Sequence, residues 1–379
     1  MDAASRRERR LAVLESLGIR GAVADEIVAS DPLPYTRPAT APALDLPLPD
    51  EPLAACWAQW ADDARHDGVF ETLRRHLVQL RFPVQAGISE TDAYRAATRR
   101  GRFEEADAFA PGLELARPDA LELDIVETMG GRLPVIVAGD RRDFVALVQA
   151  LTTRNEPEPV PDSMGACFVK GLNNWSRVAL YRDAWTKQTG RTDAAAWAEE
   201  FSRLVPQREL YQDRLIILSR GSYSAVPAAT LGLDDDEWLA RSIAIRREHE
   251  LTHYFTYRVF GTMRSHVVDE LIADLIGLLR GSGEYRAAVA LRFLGLEEHP
   301  HYRTGGRLEN YRGDLSDAAF AAIRDLVVRA AQNLERLALE RRAAEAELHS
   351  LAALTLALAA LSVEELASDQ MPDFVREAV

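Results

Sequence analysis

The absence of glycine and proline from residues 315–370 constrains the fold more than any other feature of the sequence. Glycine and proline interrupt helices, because glycine costs backbone entropy and proline lacks an amide hydrogen. The second half of the chain is also rich in alanine, leucine and arginine, which favour helix. Residues 315–370 therefore predict one long helix or a helical hairpin that packs within the chain.

Strand patterns occur earlier in the chain. Residues 121–127 and 133–138 are apolar segments joined by Thr128-Met129-Gly130-Gly131, which predicts a hairpin. Residues 214–219 form the strongest further strand pattern, and 166–170 form another. A chain of 379 residues favours more than one core. We expect an α+β, mainly helical protein, with a small β-sheet region followed by a helical metal-binding region.

The sequence divides into three predicted segments. Residues 1–52 combine short helices with an arm that holds seven prolines, a density that prevents regular helix. Residues 53–230 form a mixed α/β region with the small sheet. Residues 231–379 form a helical region that contains the metal site described below and long C-terminal helices.

Composition limits the partners. The net charge is −14, which disfavours binding to the phosphate backbone of nucleic acid. Two cysteines, Cys56 and Cys167, are too few for a disulfide framework. No apolar run is long enough to span a membrane, and the N-terminal segment lacks the apolar core of a signal peptide. We expect a cytoplasmic protein with no membrane partner.

Residues 247–254 contain the motif His-Glu-x-x-His within a predicted helix from Asp234 to Phe260. Histidines four residues apart project from one helical face, so His249 and His253 can share one metal ion. Glu250 follows the first histidine and lies beside the metal, where it can accept a proton from a bound water.

A second polar pair follows in the next predicted helix, which runs from about Ser265 to Arg280. Glu270 and Asp274 are also four residues apart and share a helical face. The rise of two antiparallel helices allows Glu270 to lie alongside the histidines. His266 and Asp269 are rival third ligands.

Together, these two motifs resemble those of the gluzincin metallopeptidases, the thermolysin-like and aminopeptidase-like clan. The resemblance implies that His249, His253 and Glu270 bind one zinc ion per chain. It also implies that Glu250 is the catalytic base and that Asp274 orients His249 from outside the ligand set.

The resemblance is limited to about residues 245–275. The interval of 16 residues between His253 and Glu270 is slightly shorter than usual in the clan, and there is no clear aminopeptidase exopeptidase motif. Residues 214–219 lie at the right distance upstream to be the edge strand that lines the substrate cleft. The candidates for the transition-state donor are Tyr223, His301, Tyr302 and Tyr311.

These features predict a zinc-dependent hydrolase that acts on a peptide or a small amide substrate. One alternative is a helical di-iron protein, because Glu250-x-x-His253 is also a Glu-x-x-His pair, although such proteins normally need two pairs. The other alternative is a non-catalytic binding protein with a vestigial metal site. Ser163 is interpreted as a turn residue before a strand rather than as a nucleophile.

Overall fold

The computed structural model describes residues 3–30, 35, 42–262, 266–343 and 346–378. The chain divides into two compact units. The first, Met1–Leu48 with Gly221–Val379, is called the helical unit, and the second, Pro49–Arg220, is called the sheet unit. None of the helices in the described ranges has the length and apolarity that crossing a bilayer requires.

The fold is α+β and mainly helical, with one small mixed sheet, which confirms the predicted class. The α-helices of the described residues are α1 (Ala3–Ser16), α2 (Ala22–Ser30), α3 (Leu53–Asp67), α4 (Val69–His76), α5 (Asp92–Arg100), α6 (Arg141–Thr152), α7 (Trp175–Thr189), α8 (Ala194–Leu204), α9 (Asp235–Phe260), α10 (Val267–Ser282), α11 (Ala287–Leu294), α12 (Asp317–Glu340), α13 (Leu348–Ala359), α14 (Val363–Ala367) and α15 (Met371–Ala378). The strands are β1 (Glu122–Val126), β2 (Leu133–Val137), β3 (Ala166–Asn173) and β4 (Gln212–Leu218).

The sheet has the strand order β1-β2-β4-β3. β1 and β2 are antiparallel, which confirms the predicted hairpin, while β2 and β4 are parallel and β3 and β4 are antiparallel. The expectation that residues 214–219 form an edge strand is wrong, since β4 pairs on both sides. All four residues from Leu215 to Leu218 are buried, a continuous apolar run that is typical of a central strand.

The start of helix α6 in the sheet unit is set by its N-cap residue. The carboxylate of Asp140 accepts hydrogen bonds from the first amides of α6. Phe144 and Leu147 then project from α6 into the same apolar core as Ile136 of β2 and Ile217 of β4.

Buried polar groups anchor β4 within the sheet unit. Asp213 is fully buried and accepts hydrogen bonds from Trp57 Nε1 at 2.8 Å and Asn174 Nδ2 at 2.5 Å. Arg177 Nη1 donates to its second oxygen at 2.5 Å. Because every partner is supplied, this charge holds α3, α7 and β4 together without an unpaired group.

In the helical unit, α10 is the central helix. Every residue from Val267 to Leu279 is buried, although several are charged. The predicted second helix is confirmed, but its predicted start at Ser265 lies outside the described residues. α9 has the predicted extent: Asp234 accepts a hydrogen bond from Glu237 N, and Gly261 ends the helix in the left-handed conformation.

Two glycines allow α9 and α10 to pack closely. A Cβ atom at Gly281 would lie 2.5 Å from Ile245 N, and one at Gly277 would lie 3.0 Å from Ile245 O. No side chain larger than hydrogen fits at the first position without a shift of backbone. This close approach sets the distance between the polar faces of the two helices.

The C-terminal part of the helical unit departs from the prediction for residues 315–370. α12 ends at Glu340 and α13 begins at Leu348, so the region is neither one helix nor a simple hairpin. A reciprocal cap between Ser362 and Glu365 starts the further helix α14, a local signal that glycine and proline content does not show.

Met1–Leu48 belongs to the helical unit, and it includes most of the predicted N-terminal segment of helices and proline-rich arm. Arg10 and Glu364 form a buried ion pair. Tyr35 N donates to Ala359 O at 3.1 Å. Residues 31–34 and 36–41 of the predicted proline-rich arm lie outside the described residues. The first and last parts of the chain thus belong to the same compact unit.

Candidate metal centre

The two histidines of the predicted motif meet on the buried face of α9. His249 and His253 are about 5% and 6% exposed, and their ring centroids are 4.7 Å apart. Their Nε2 atoms lie 3.1 Å from each other. The i, i+4 spacing therefore brings two imidazole nitrogens to one point, as the sequence predicted.

α10 adds a carboxylate to this point. Glu270 Oε2 lies 3.4 Å from His249 Nε2, and Glu270 Oε1 lies 3.5 Å from His253 Nε2. Ligands bound tetrahedrally to zinc at about 2.0–2.1 Å are roughly 3.3 Å from one another. The three side chains therefore fit a zinc ion without rearrangement. Within the described ranges, this is the one group of three or more such side chains close enough to share a metal.

The rival third ligands have other roles. His266 is the N-cap of α10, where its Nδ1 accepts a hydrogen bond from Val268 N. Asp269 accepts a hydrogen bond from Tyr35 Oη at 3.2 Å, and burial raises the pKa of its carboxyl group to about 6. Neither residue belongs to the cluster formed with His249 and His253.

Asp274 lies on the opposite side of the His249 ring. Its Oδ1 is 2.9 Å from His249 Nδ1, and its side chain is fully buried one helical turn beyond Glu270. A carboxylate at this distance accepts the Nδ1 proton, which leaves the Nε2 lone pair for a metal. The predicted orienting contact is present in the structure.

Tyr223 and Arg307 complete the surroundings of Asp274. Tyr223 Oη is 2.7 Å from Asp274 Oδ1 and 2.8 Å from His249 Nδ1. Arg307 Nη1 donates to Tyr223 Oη at 2.9 Å, and Arg307 Nη2 donates to Asp274 Oδ2. Because Arg307 donates to the phenol oxygen, the phenol proton is directed to Asp274.

The charges of the cluster depend on these contacts. Burial opposes ionisation of Glu270, but hydrogen bonds from His249 and His253 hold the pKa of its carboxyl group well below the usual range. Burial also opposes charge on Asp274, and Arg307 and His249 keep its pKa low. The pKa of His249 rises to about 9 despite burial, because both carboxylates stabilise the imidazolium.

Glu250 lies next to His249 in α9 but does not join the ligand cluster. Its side chain is half-buried and, within the described part of the chain, it forms no hydrogen bond or ion pair. A carboxylate adjacent to a metal cluster and not engaged elsewhere can exchange a proton with water.

The four candidate donors lie in different surroundings. Tyr223 contacts Asp274, and Tyr302 Oη donates to Gly306 O and accepts from Glu309 N within its own loop. His301 is exposed at an isolated bridge with Glu298. Tyr311 is half-buried beside Glu270, and burial together with that carboxylate raises the pKa of its phenol. Tyr223 contacts His249 at Nδ1, the nitrogen that also faces Asp274, whereas the Tyr311 hydroxyl lies beside the Glu270 carboxylate of the candidate ligand cluster.

Arg307 was not identified from the sequence. It starts the short 3-10 helix Arg307–Tyr311, after Gly305-Gly306. A Cβ at Gly306 would lie 2.8 Å from Leu294 O, so this glycine allows the segment to pack against α11. The glycine pair is the one signal in the sequence that marks the position, and it says nothing of the contact with Asp274.

Neither the curated proteins nor the solved structures include a significant match to this chain. One protein-family model matches residues 12–370, which span both units. The chain therefore belongs to DUF7005, a family of unknown function.

Proposed function

We propose that this protein is a zinc-dependent hydrolase of peptide or amide bonds. His249, His253 and Glu270 would hold one zinc ion. The observation that carries the proposal is that their ligand atoms meet at 3.1–3.5 Å in a buried site, with Asp274 behind His249. Zinc, when bound, lowers the pKa of water to near neutrality and polarises a carbonyl group.

The chain's own residues would handle the proton. Glu250 accepts a proton from the attacking water and transfers it to the leaving amine. Tyr311 supplies a hydrogen bond to the oxygen that gains charge, and the raised pKa of its phenol keeps that proton in place. Asp274, Tyr223 and Arg307 keep His249 in one orientation.

The alternatives have less support. A di-iron centre normally uses two Glu-x-x-His pairs and two further carboxylates, whereas the described residues contain one three-residue cluster. A non-catalytic protein with a vestigial site would not need Glu250, a half-buried carboxylate next to His249 that forms no hydrogen bond or ion pair within the described part of the chain. A peptide or small amide substrate and a cytoplasmic location stay predictions from the sequence.

The first test measures zinc and turnover separately. Purified protein should contain about one zinc per chain, and His253→Ala should lose it. Glu250→Gln keeps the shape of the side chain but removes the base, so it should retain zinc and lose turnover by at least about 100-fold. Tyr311→Phe should retain zinc with a smaller loss of kcat. Turnover is measured by mass spectrometry on a library of peptides and amide conjugates.

Loss of zinc from Glu250→Gln would make Glu250 a ligand and favour the di-iron arrangement. Zinc retained with undiminished cleavage would show that the proposed proton transfer is wrong. If neither the natural protein nor His253→Ala contains zinc after refolding with zinc, the proposed metal site does not exist.

A further inference from the structure

The sheet unit contains a cavity that is separate from the metal centre. Its volume is about 730 Å³, which is within the usual range of small-molecule sites, and it is open to solvent on one side. Residues of α5, the end of α6 and the edge strand β3 line it. No step of the proposed hydrolysis uses these residues.

The lining of the cavity is cationic. Arg99, Arg154 and Lys170 come from three different segments, and none of the lining residues is aspartate or glutamate. This is unusual in a chain with a net charge of −14. Among the described residues, Arg99 and Arg154 have no carboxylate within ion-pair distance. The cavity therefore presents two guanidinium groups whose charge no carboxylate of the described residues neutralises by ion pairing.

The carboxylate that lies closest in sequence to Arg154 forms its hydrogen bonds outside the cavity lining. Glu156 follows closely in sequence after Arg154, and its carboxylate accepts hydrogen bonds from Gly87 N at 2.7 Å and Ser89 N at 2.9 Å. These backbone donors hold its pKa below the usual range, so Glu156 remains ionised but engaged outside the cavity lining.

Arg154 is held in an uncommon backbone conformation. Its φ is 59°, and Asn155, with φ of 60°, follows in the same left-handed region. Asn155 is fully buried, and its Nδ2 donates to Gln79 O and Phe82 O at 3.0 Å. Left-handed geometry costs a non-glycine residue free energy, and it persists here because the buried amide of Asn155 determines the turn.

Gln79 adds a polar group that lacks a partner. It lines the cavity, is 6% exposed, and its Nε2 donates to Asn173 O at 3.5 Å. Its Oε1 is buried without a hydrogen bond in the described part of the chain. Buried acceptors are normally paired, so a bound molecule with a hydroxyl group would complete this one.

We propose that the cavity binds a small phosphate monoester that also carries a hydroxyl group. Two guanidinium groups and an ammonium group on one lining match the charge of a phosphate dianion, which guanidinium groups bind in pairs of parallel hydrogen bonds. The hydroxyl group would donate to Gln79. The site requires no metal and no reaction.

The test is a calorimetric titration of the full-length protein with glycerol 1-phosphate, in a buffer with EDTA so that the metal centre does not contribute. We expect saturable binding of one molecule per chain. Arg99→Gln and Arg154→Gln should each weaken binding by about tenfold or more, since each removes charged hydrogen bonds. Arg100→Gln is the matched control, because Arg100 is an exposed neighbour on α5 outside the cavity lining.

Two further probes test the chemistry of the ligand. Methyl phosphate, which lacks the hydroxyl group, should bind more weakly than glycerol 1-phosphate, and Gln79→Met should abolish that difference without lowering Tm. Three results would overturn the proposal: no saturable binding of either phosphate, equal binding by all three arginine variants, or tighter binding of glycerate, which would assign the cavity to carboxylates.

Discussion

Around His249, three side chains donate hydrogen bonds to one carboxylate, that of Asp274. The Nδ1 proton of His249 and the phenol proton of Tyr223 go to Asp274 Oδ1, while Arg307 donates to Asp274 Oδ2 and to the Tyr223 oxygen. This arrangement turns His249 Nε2 toward His253 and Glu270. Hydrogen bonds from three side chains to one buried carboxylate restrict the orientation of His249, so this candidate ligand is oriented before any metal binds.

This network makes a prediction about metal affinity. Asp274→Asn should weaken zinc binding by about 10–100-fold, and Arg307→Met should weaken it less while lowering stability by about 3 kcal/mol, because it leaves a buried carboxylate without its cation. The double variant should be less affected than the sum of the two. Competition with a chromogenic chelator and urea unfolding measure both quantities.

Arg286→Met is the control, since Arg286 pairs with Glu284 and both side chains are exposed, a setting in which an ion pair contributes less than about 1 kcal/mol. Additive effects of the Asp274 and Arg307 variants would contradict a shared network.

The proton that zinc would displace from His249 gives a second prediction at the scale of single residues. The pKa of His249 in the metal-free protein is raised to about 9, so at pH 7 its imidazole is protonated and zinc must displace the proton. Zinc affinity should therefore fall about tenfold per pH unit as pH decreases below 9, and level off above it. Calorimetry at pH 7 in buffers of different ionisation enthalpy should show release of about one proton per zinc.

Asp274→Asn should reduce this proton release, because it removes one of the carboxylates that raise the pKa of His249. Zinc binding without proton release in the natural protein would contradict the assignment of His249 as a ligand.

At the scale of elements, the site depends on the separation of α9 and α10. The caps Asp234 and Gly261 were readable from the sequence, and they define where α9 begins and ends. The contact that brings the helices together is less visible, since Gly277 and Gly281 are significant only because Ile245 lies against them. A glycine within a helix otherwise indicates lower helix propensity.

Gly281→Ala tests the close approach. The added Cβ would meet Ile245 backbone at 2.5 Å, so the helices must separate, at a cost of about 1–3 kcal/mol. Zinc affinity should fall with stability, because Glu270 on α10 then moves away from the histidines on α9. Gly221→Ala is the control, since a Cβ there meets nothing within 4 Å. Loss of stability with unchanged zinc affinity would show that helix separation does not set the site.

At the scale of the whole molecule, the candidate metal centre belongs to the helical unit and the cationic cavity to the sheet unit. The helical unit is discontinuous in sequence, because Met1–Leu48 packs with Gly221–Val379. All residues of the metal network, from Tyr223 to Arg307, fall within the second of these segments.

Hydrogen exchange can show which unit responds to zinc. Zinc that binds the folded state should slow amide exchange in α9, α10 and the segment Arg307–Tyr311, because opening these elements would release the metal. Amides of the sheet strands should exchange at unchanged rates. Zinc protection in β2 and β4 without protection in α9 would place the binding site in the sheet unit and contradict the proposal.

The sequence by itself determined the helical positions of His249, His253, Glu270 and Asp274, because helical periodicity is local and four-residue spacing places side chains on one face. It also determined the hairpin and the caps at Asp140 and Asp234, which depend on neighbouring residues. These features follow from short-range geometry, which a single sequence expresses directly.

Only the tertiary structure decided which groups meet across the chain. Arg307 reaches Asp274 over a separation of 33 residues, and Arg99, Arg154 and Lys170 line one cavity from three segments. The central position of β4 was also decided by packing. Such contacts depend on how buried surfaces fit together, and neither residue spacing nor composition specifies that fit.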